Sequence, residues 1–134
     1  MTKNEKKLIE AVKSVPFIAN KEGWVFTFDK EEGTLFYSPK IIPNGAELHQ
    51  VTDEYALYLD KQFNPKAVMV EYFNHNFVKH HKIFEALSKR VFSGKDKIKI
   101  VNPKLSKDNS DARTLKALFN DVLLEEAGSK LIPA

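Results

Sequence analysis

The chain has 134 residues, 43% of them apolar and 29% charged, and carries a net charge of +3 at pH 7. This is the composition of one globular domain, long enough to bury a core without covalent staples. It has no cysteine, which excludes disulfides and thiolate metal sites, and no apolar run approaches the roughly 20 residues of a membrane span.

The N-terminus has lysines but no apolar segment after them, so no secretory signal is expected and the cytoplasm is the expected location. Residues 3–15 predict a short helix, with Leu8, Ile9, Val12 and Val15 on one side and Pro16 as its end. Gly23 to Phe28 alternates in polarity and predicts a strand with Trp24, Phe26 and Phe28 on one face. Asp29 to Gly33 is a turn, and Thr34 to Tyr37 is the returning strand. Pro39, Pro43, Asn44 and Gly45 punctuate a loop with a short strand near Lys40 to Ile42, and Glu47 to Val51 predicts a third strand.

Residues 55–92 form the centre of the prediction. Tyr55, Leu57 and Leu59 alternate with Ala56, Tyr58 and Asp60, Asn64-Pro65 is turn chemistry, and Ala67 to Phe73 is rich in β-branched and aromatic residues. Two such runs across a short turn predict an antiparallel hairpin. A helix over 76–92 follows, with Asn74 or Asn76 as its N-cap and Ser93-Gly94 as its end. Its apolar stripe of Phe77, Val78, Ile83, Phe84, Leu87 and Val91 is expected to lie over the hairpin. Residues 96–101 predict a strand with lysine at alternate positions, and residues 103–109 a loop. A last helix over 111–127 is expected, N-capped by Ser110, with Leu115, Leu118, Phe119, Val122 and Leu123 as its stripe. Gly128 ends it, and a loose tail follows.

The predicted architecture is a single α+β domain over 1–134. An antiparallel β-meander of four to five strands, spanning 23–73 with a further strand at 96–101, carries two or three helices mainly on one face. The turns Thr27 to Lys30 and Tyr58 to Lys61 both close a strand on Asp-Lys. Convergent turn chemistry and duplication both explain that likeness.

Chemistry-bearing residues are sparse. His75 and His80 are five apart and His80 and His81 adjacent, whereas a helical ligand pair needs i, i+4 spacing. Glu85 stands four residues after His81, which makes either a metal half-site or an exposed helix pair. His49 lies on a predicted strand far from these. Asp29, Glu31 and Glu32 share a solvated turn, and Asp53 and Glu54 precede a strand and are expected to bond backbone. The chain has no Gly-rich phosphate loop, Gly-x-Ser-x-Gly or His-Glu-x-x-His. No catalytic, cofactor or metal residue is therefore assigned. An enzyme would require a cleft gathering His49 or the His75–His81 group with a carboxylate.

Charge is unevenly placed. Residues 1–67 hold 9 lysines and 10 acids, whereas residues 68–134 hold 12 basic residues and 8 acids. Nine of the basic residues fall between positions 79 and 107: Lys79, Lys82, Lys89, Arg90, Lys95, Lys97, Lys99, Lys104 and Lys107. They are candidates for a polyanion-binding groove, against the alternative of a solvated face and a lysine-guarded sheet edge. The abundance of Phe and Tyr raises the second prospect, a contact surface of exposed aromatics and an open sheet edge.

The segment Phe28-Asp29-Lys30-Glu31-Glu32-Gly33-Thr34-Leu35-Phe36-Tyr37 resembles the opening hairpin of the YuzE-like group of small proteins of unknown function, whose pattern is near Tyr-Asp-x-x-x-Asp-x-Leu-Tyr-Ile. The acidic strand and hairpin of residues 47–73 are similar to that family's second part, so the resemblance covers about residues 24–73. It departs at Gly33, where the family has an acid, and at Asn64-Pro65, where the family has Asp-Gly. The flanking helices lie outside it. The resemblance implies no established activity; it implies a small partner-binding protein rather than an enzyme. The function expected is thus a small soluble interaction module that self-associates or binds a protein partner. The alternative is a basic, nucleic-acid-associated module using residues 79–107.

Overall fold

A computed structural model describes residues 2–104 and 110–131. The chain opens on α1 (Lys3–Glu22), started by a capping box in which the Glu5 amide donates to the Thr2 hydroxyl (3.1 Å) and the Thr2 amide to the Glu5 carboxylate (3.2 Å). Gly23 in the left-handed conformation closes it. The strands are β1 (Val25–Asp29), β2 (Thr34–Ser38), β3 (Glu47–Gln50), β4 (Ala56–Leu59), β5 (Pro65–Val70) and β6 (Ile98–Val101). A π-helical turn (Phe73–Phe77), α2 (Val78–His80) and α3 (Phe84–Val91) separate β5 from β6, and α4 (Ser110–Ser129) ends the described chain.

The α+β class stands, with corrections of count and connection. Among the described residues six strands form one antiparallel sheet in the order β3-β4-β5-β2-β1-β6, and four α-helices accompany it. The order is not a simple meander. The β1–β2 hairpin sits inside the sheet, the β3–β4–β5 unit joins it through β2–β5 pairing, and β6 returns to the free edge of β1. Residues 40–42 form no strand.

Both hairpin turns are built by an aspartate at the end of a strand. Asp29 Oδ1 accepts from the amides of Glu31 and Glu32, and Asp60 Oδ1 from those of Gln62 and Asn64. The short carboxylate satisfies donors that the reversing backbone would otherwise leave free.

Register sorts the side chains onto two faces. Phe26, Phe28, Leu35, Tyr37, Leu57, Leu59, Val68 and Val70 share the inner face and are buried. Phe119 of α4 stands edge-on to Phe26 (5.6 Å) and Tyr37 (5.8 Å), and Phe92 packs on Phe26 and Phe28. α1 lies over β5, and α3 lies along α4. α1 lies against β5 with Ala11, Val12, Val15 and Ala19 buried, and Phe77, Phe84, Leu87 and Val91 of the 76–92 segment are buried in the same core as Leu57, Leu59, Val68 and Val70 of the β4–β5 hairpin.

Other helix boundaries also move. α1 runs through Pro16 instead of ending at it. Proline removes one helical hydrogen bond at a cost of roughly 3 kcal/mol, but Val15 and Ala19 are fully buried on either side, and that packing outweighs the loss. The predicted 76–92 helix is broken at His81, whose φ of −133° and ψ of 73° leave the helical region. Neither Asn74 nor Asn76 caps it; the Asn76 amide group donates to the Asp53 carbonyl (3.0 Å). Ile83 is exposed rather than part of the stripe. Helix α3 stops at Val91, before Ser93-Gly94, and Gly128 lies inside α4 instead of ending it. Lys107, residues 105–109 of the loop and the last residues of the tail lie outside the described residues, and Ser110, expected to cap the last helix, is instead the first residue of α4.

Pro16→Ala restores the missing bond while keeping the helix, and is expected to raise the unfolding free energy by about 1–3 kcal/mol. Urea denaturation checks this; an unchanged or lower midpoint would show that the proline ring packs as well as the bond it removes.

Candidate functional site: a buried Glu–His–Glu cluster

Three separate elements bring charged side chains to one point. The loop between β3 and β4 carries Thr52 and Glu54, the break between α2 and α3 carries His81, and the last turns of α4 carry Glu126. His81 Nε2 lies 2.7 Å from Glu54 Oε2 and 2.6 Å from Glu126 Oε2. Glu54 and Glu126 are buried, while His81 keeps 17% of its side chain exposed and so marks the solvent side.

Local structure explains the convergence. The Thr52 hydroxyl accepts from the Glu54 amide (3.1 Å), which folds the loop, and donates to Glu126 Oε1 (3.0 Å). The Tyr55 hydroxyl donates to the Leu123 carbonyl (2.7 Å), which sets the height of α4 against the loop. The Asn76 to Asp53 bond ties the π-helical turn to the same loop. The helix break then swings the His81 ring beside Phe77, 4.8 Å between ring centres, and over the carboxylates. His80 Nδ1 lies 3.0 Å from the outer oxygen Oε1 of Glu54.

The two carboxyls are driven apart in acidity. Burial pushes Glu126 up to about 7, and its hydrogen bond with Glu54 adds to the rise, against bonds from His81 and Thr52 that favour its anion. Burial also pushes Glu54 up, but its bonds from Glu126 and His81 outweigh that and hold it below the usual carboxylate value. In mildly acidic solution the pair therefore retains a proton that two ordinary carboxyls would have lost. Burial also raises the Tyr55 hydroxyl, and the Glu126 charge adds to that rise.

The sequence expectation placed His81 with Glu85 and left Glu54 to the backbone. In the structure Glu85 pairs with Lys89 (3.6 Å). Glu54 and Glu126 are 27 and 45 residues from His81 along the chain, so no local spacing test could join them. A signal did exist for Glu126. It stands three residues after Leu123 and seven after Phe119, in phase with the buried stripe of α4, and a carboxyl on such a stripe needs a partner. His75 is exposed and the His49 ring lies tilted beside Phe63 (5.5 Å); neither joins the cluster.

The candidate basic residues divide. Lys79, Lys82 and Lys89 line one hollow of about 330 Å³ with Asn74, Val78 and Glu85. Arg90 is bound to Asp111 (2.9 Å), Lys97 to Glu31 (3.4 Å), and Lys104 donates to the Asn20 carbonyl (3.3 Å). Lys95 is exposed beside β6, and Lys99 points to the inner face at the β6 edge, opposite Phe28.

The prospect of a surface of exposed aromatics is also corrected. Trp24, Phe26, Phe28, Tyr37, Tyr55, Phe73, Phe77, Phe84, Phe92 and Phe119 are buried, and only Phe17 and Tyr72 among the aromatics are exposed. The outer face of the sheet carries a mixed row whose exposed large apolar members are aliphatic. Ile100, Thr27, Phe36 and Met69 run across four strands in register, with Ile98, Tyr58 and Leu48 beside them. Ile98, Ile100 and Leu48 are 53%, 60% and 45% exposed.

Searches against protein-family models, curated proteins and solved structures find no match to this chain. Among the described residues no helix is long and apolar enough to cross a membrane.

Because Glu126 is raised, its contribution to stability is complete below about 4.5 and is lost as pH climbs through about 7. Glu54 is lowered, so its contribution is present above 4.5 and lost as pH falls. Stability from the pair is therefore greatest in mildly acidic solution. In EDTA-containing buffer the wild type should lose on the order of 2 kcal/mol more than Glu126→Gln between pH 5 and pH 8. Parallel urea titrations of the two proteins at the two pH values measure it; identical pH dependence would contradict the proton placement.

Proposed function

We propose that this chain is a small binding module that works through the open face of its sheet and self-associates there. The observation that supports it is the set of exposed aliphatic side chains in the row on the outer face. Antiparallel sheets often leave one face to water, but that face is then polar. Here Ile98, Ile100 and Leu48 stand exposed around half-buried Phe36 and Tyr58. A second copy of the same face covers such a row symmetrically, with each residue's contact returned across a two-fold axis. The absence of cysteine supports the cytoplasm as the setting. The reading assigns no reaction to the module.

Light scattering on the wild type up to about 100 μM should show a mass rising toward twice the chain mass. The double variant Ile98→Lys, Ile100→Lys should remain monomeric with unchanged circular dichroism, since both side chains are already more than half exposed. A wild type that stays monomeric over that range would end the reading.

A second reading, attachment to nucleic acid, rests on the three lysines that share one hollow, Lys79, Lys82 and Lys89. It requires the logarithm of affinity for generic DNA or RNA to fall steeply and linearly with the logarithm of salt concentration. Removal of each contacting lysine should make that slope shallower by about 1. No retention on nucleic acid at low salt would exclude it.

A further inference from the structure

We propose that Glu54, His81 and Glu126 form a binding site for a first-row divalent cation of the zinc class. One nitrogen and two carboxylate oxygens, each from a different element, converge so that their ligand atoms lie within 4.8 Å of one another. The closest approaches are 2.6 and 2.7 Å, both to the same ring nitrogen. A single N–H is not shared in full between two carboxylates at that distance. With Glu126 and the ring nitrogen deprotonated, as metal binding requires, three lone pairs converge and a cation satisfies all of them at once.

The surroundings hold the ligands as a metal site requires. Each carboxylate has its outer oxygen engaged, Glu126 Oε1 by the Thr52 hydroxyl (3.0 Å) and Glu54 Oε1 by His80 (3.0 Å), which leaves both inner oxygens facing His81 Nε2. Such outer partners orient ligands and tune their basicity. The Phe77 and Phe84 rings flank the imidazole and give the site a dry wall. The exposed edge of His81 leaves the solvent side for a fourth ligand. Zinc bonds of about 2.0–2.2 Å place tetrahedral ligand atoms roughly 3.3 Å apart. The cluster therefore opens by about 0.7 Å on loading, a movement within the reach of rotamer adjustment by two glutamates and one ring.

The donor set selects the cation class. A neutral imidazole nitrogen suits zinc, cobalt, nickel and iron, whereas calcium takes six to eight oxygens and magnesium keeps most of its waters. The absence of sulfur ligands disfavours monovalent copper. Two carboxylates balance the double charge, so the loaded site is neutral in a largely buried position.

The test uses the full chain stripped with EDTA and titrated with Zn²⁺ by calorimetry, with Co²⁺ as a spectroscopic probe. The expected result is one Zn²⁺ per chain and a visible Co²⁺ absorption that Zn²⁺ displaces, with Ca²⁺ and Mg²⁺ ineffective. Glu54→Gln and Glu126→Gln keep the side-chain shape and should each abolish the saturable isotherm, while circular dichroism shows the fold intact. Thr52→Val, which removes only an orienting bond, should weaken binding by roughly 10–100-fold. His75→Ala, at an exposed position outside the cluster, should leave it unchanged. No saturable Zn²⁺ binding by the wild type overturns the site and leaves a proton-sharing cluster. Binding that survives both glutamine substitutions overturns it as well, since the ion would then sit on surface histidines.

Discussion

The constraint on which this structure depends is that six strands offer two faces and the helices cover only one. Phe119 shows how that cover is achieved. Its ring meets Phe26 and Tyr37 on the sheet and Phe77 on the π-helical turn, so one side chain of α4 joins three parts of the fold. Aromatic rings bury a large area and gain further from edge-to-face geometry, which makes such a junction stiff. The fold's stability is concentrated on that side, and the exposed aliphatic side chains of the outer face follow as a consequence.

The same junction creates the polar cluster. Seating α4 against the sheet through Phe119 and Leu123 carries Glu126, two turns beyond Phe119, into the interior. A buried carboxyl is costly unless partners meet it. The loop after β3 and the break after α2 supply those partners, and the loop is tied to both neighbours through Tyr55 and Asn76. Tyr72, in the left-handed region, and His81, outside the helical region, redirect the chain on either side of the π-helical turn and α2. Buried charge distinguishes the region from the Asp29 and Asp60 turns, whose carboxylates bond their own turns, with Lys66 beside Asp60, and stay near water.

The basic stretch illustrates the opposite outcome. Its lysines are near one another in sequence but are divided between a helical surface, the last strand and a contact with α1. Arg90 is occupied by Asp111. Proximity along the chain was a poor guide to a shared surface, because the chain leaves α3 at Val91 and passes to the β1 edge of the sheet between residues 79–90 and residues 95–104.

The amino-acid sequence by itself determined the local elements: period-two alternation in β1 and β4, the returning strand β2, β-branched enrichment in β5, aspartate-closed turns, and the apolar stripes of α1 and α4. These depend on neighbours a few residues away, which a linear reading contains. Only the tertiary structure decided that β6 pairs with β1, that α1 survives Pro16 and covers β5, and that Glu54, His81 and Glu126 meet. Each of these is settled by burial across long separations, where packing free energy outweighs local preference and no residue spacing records which partners will touch.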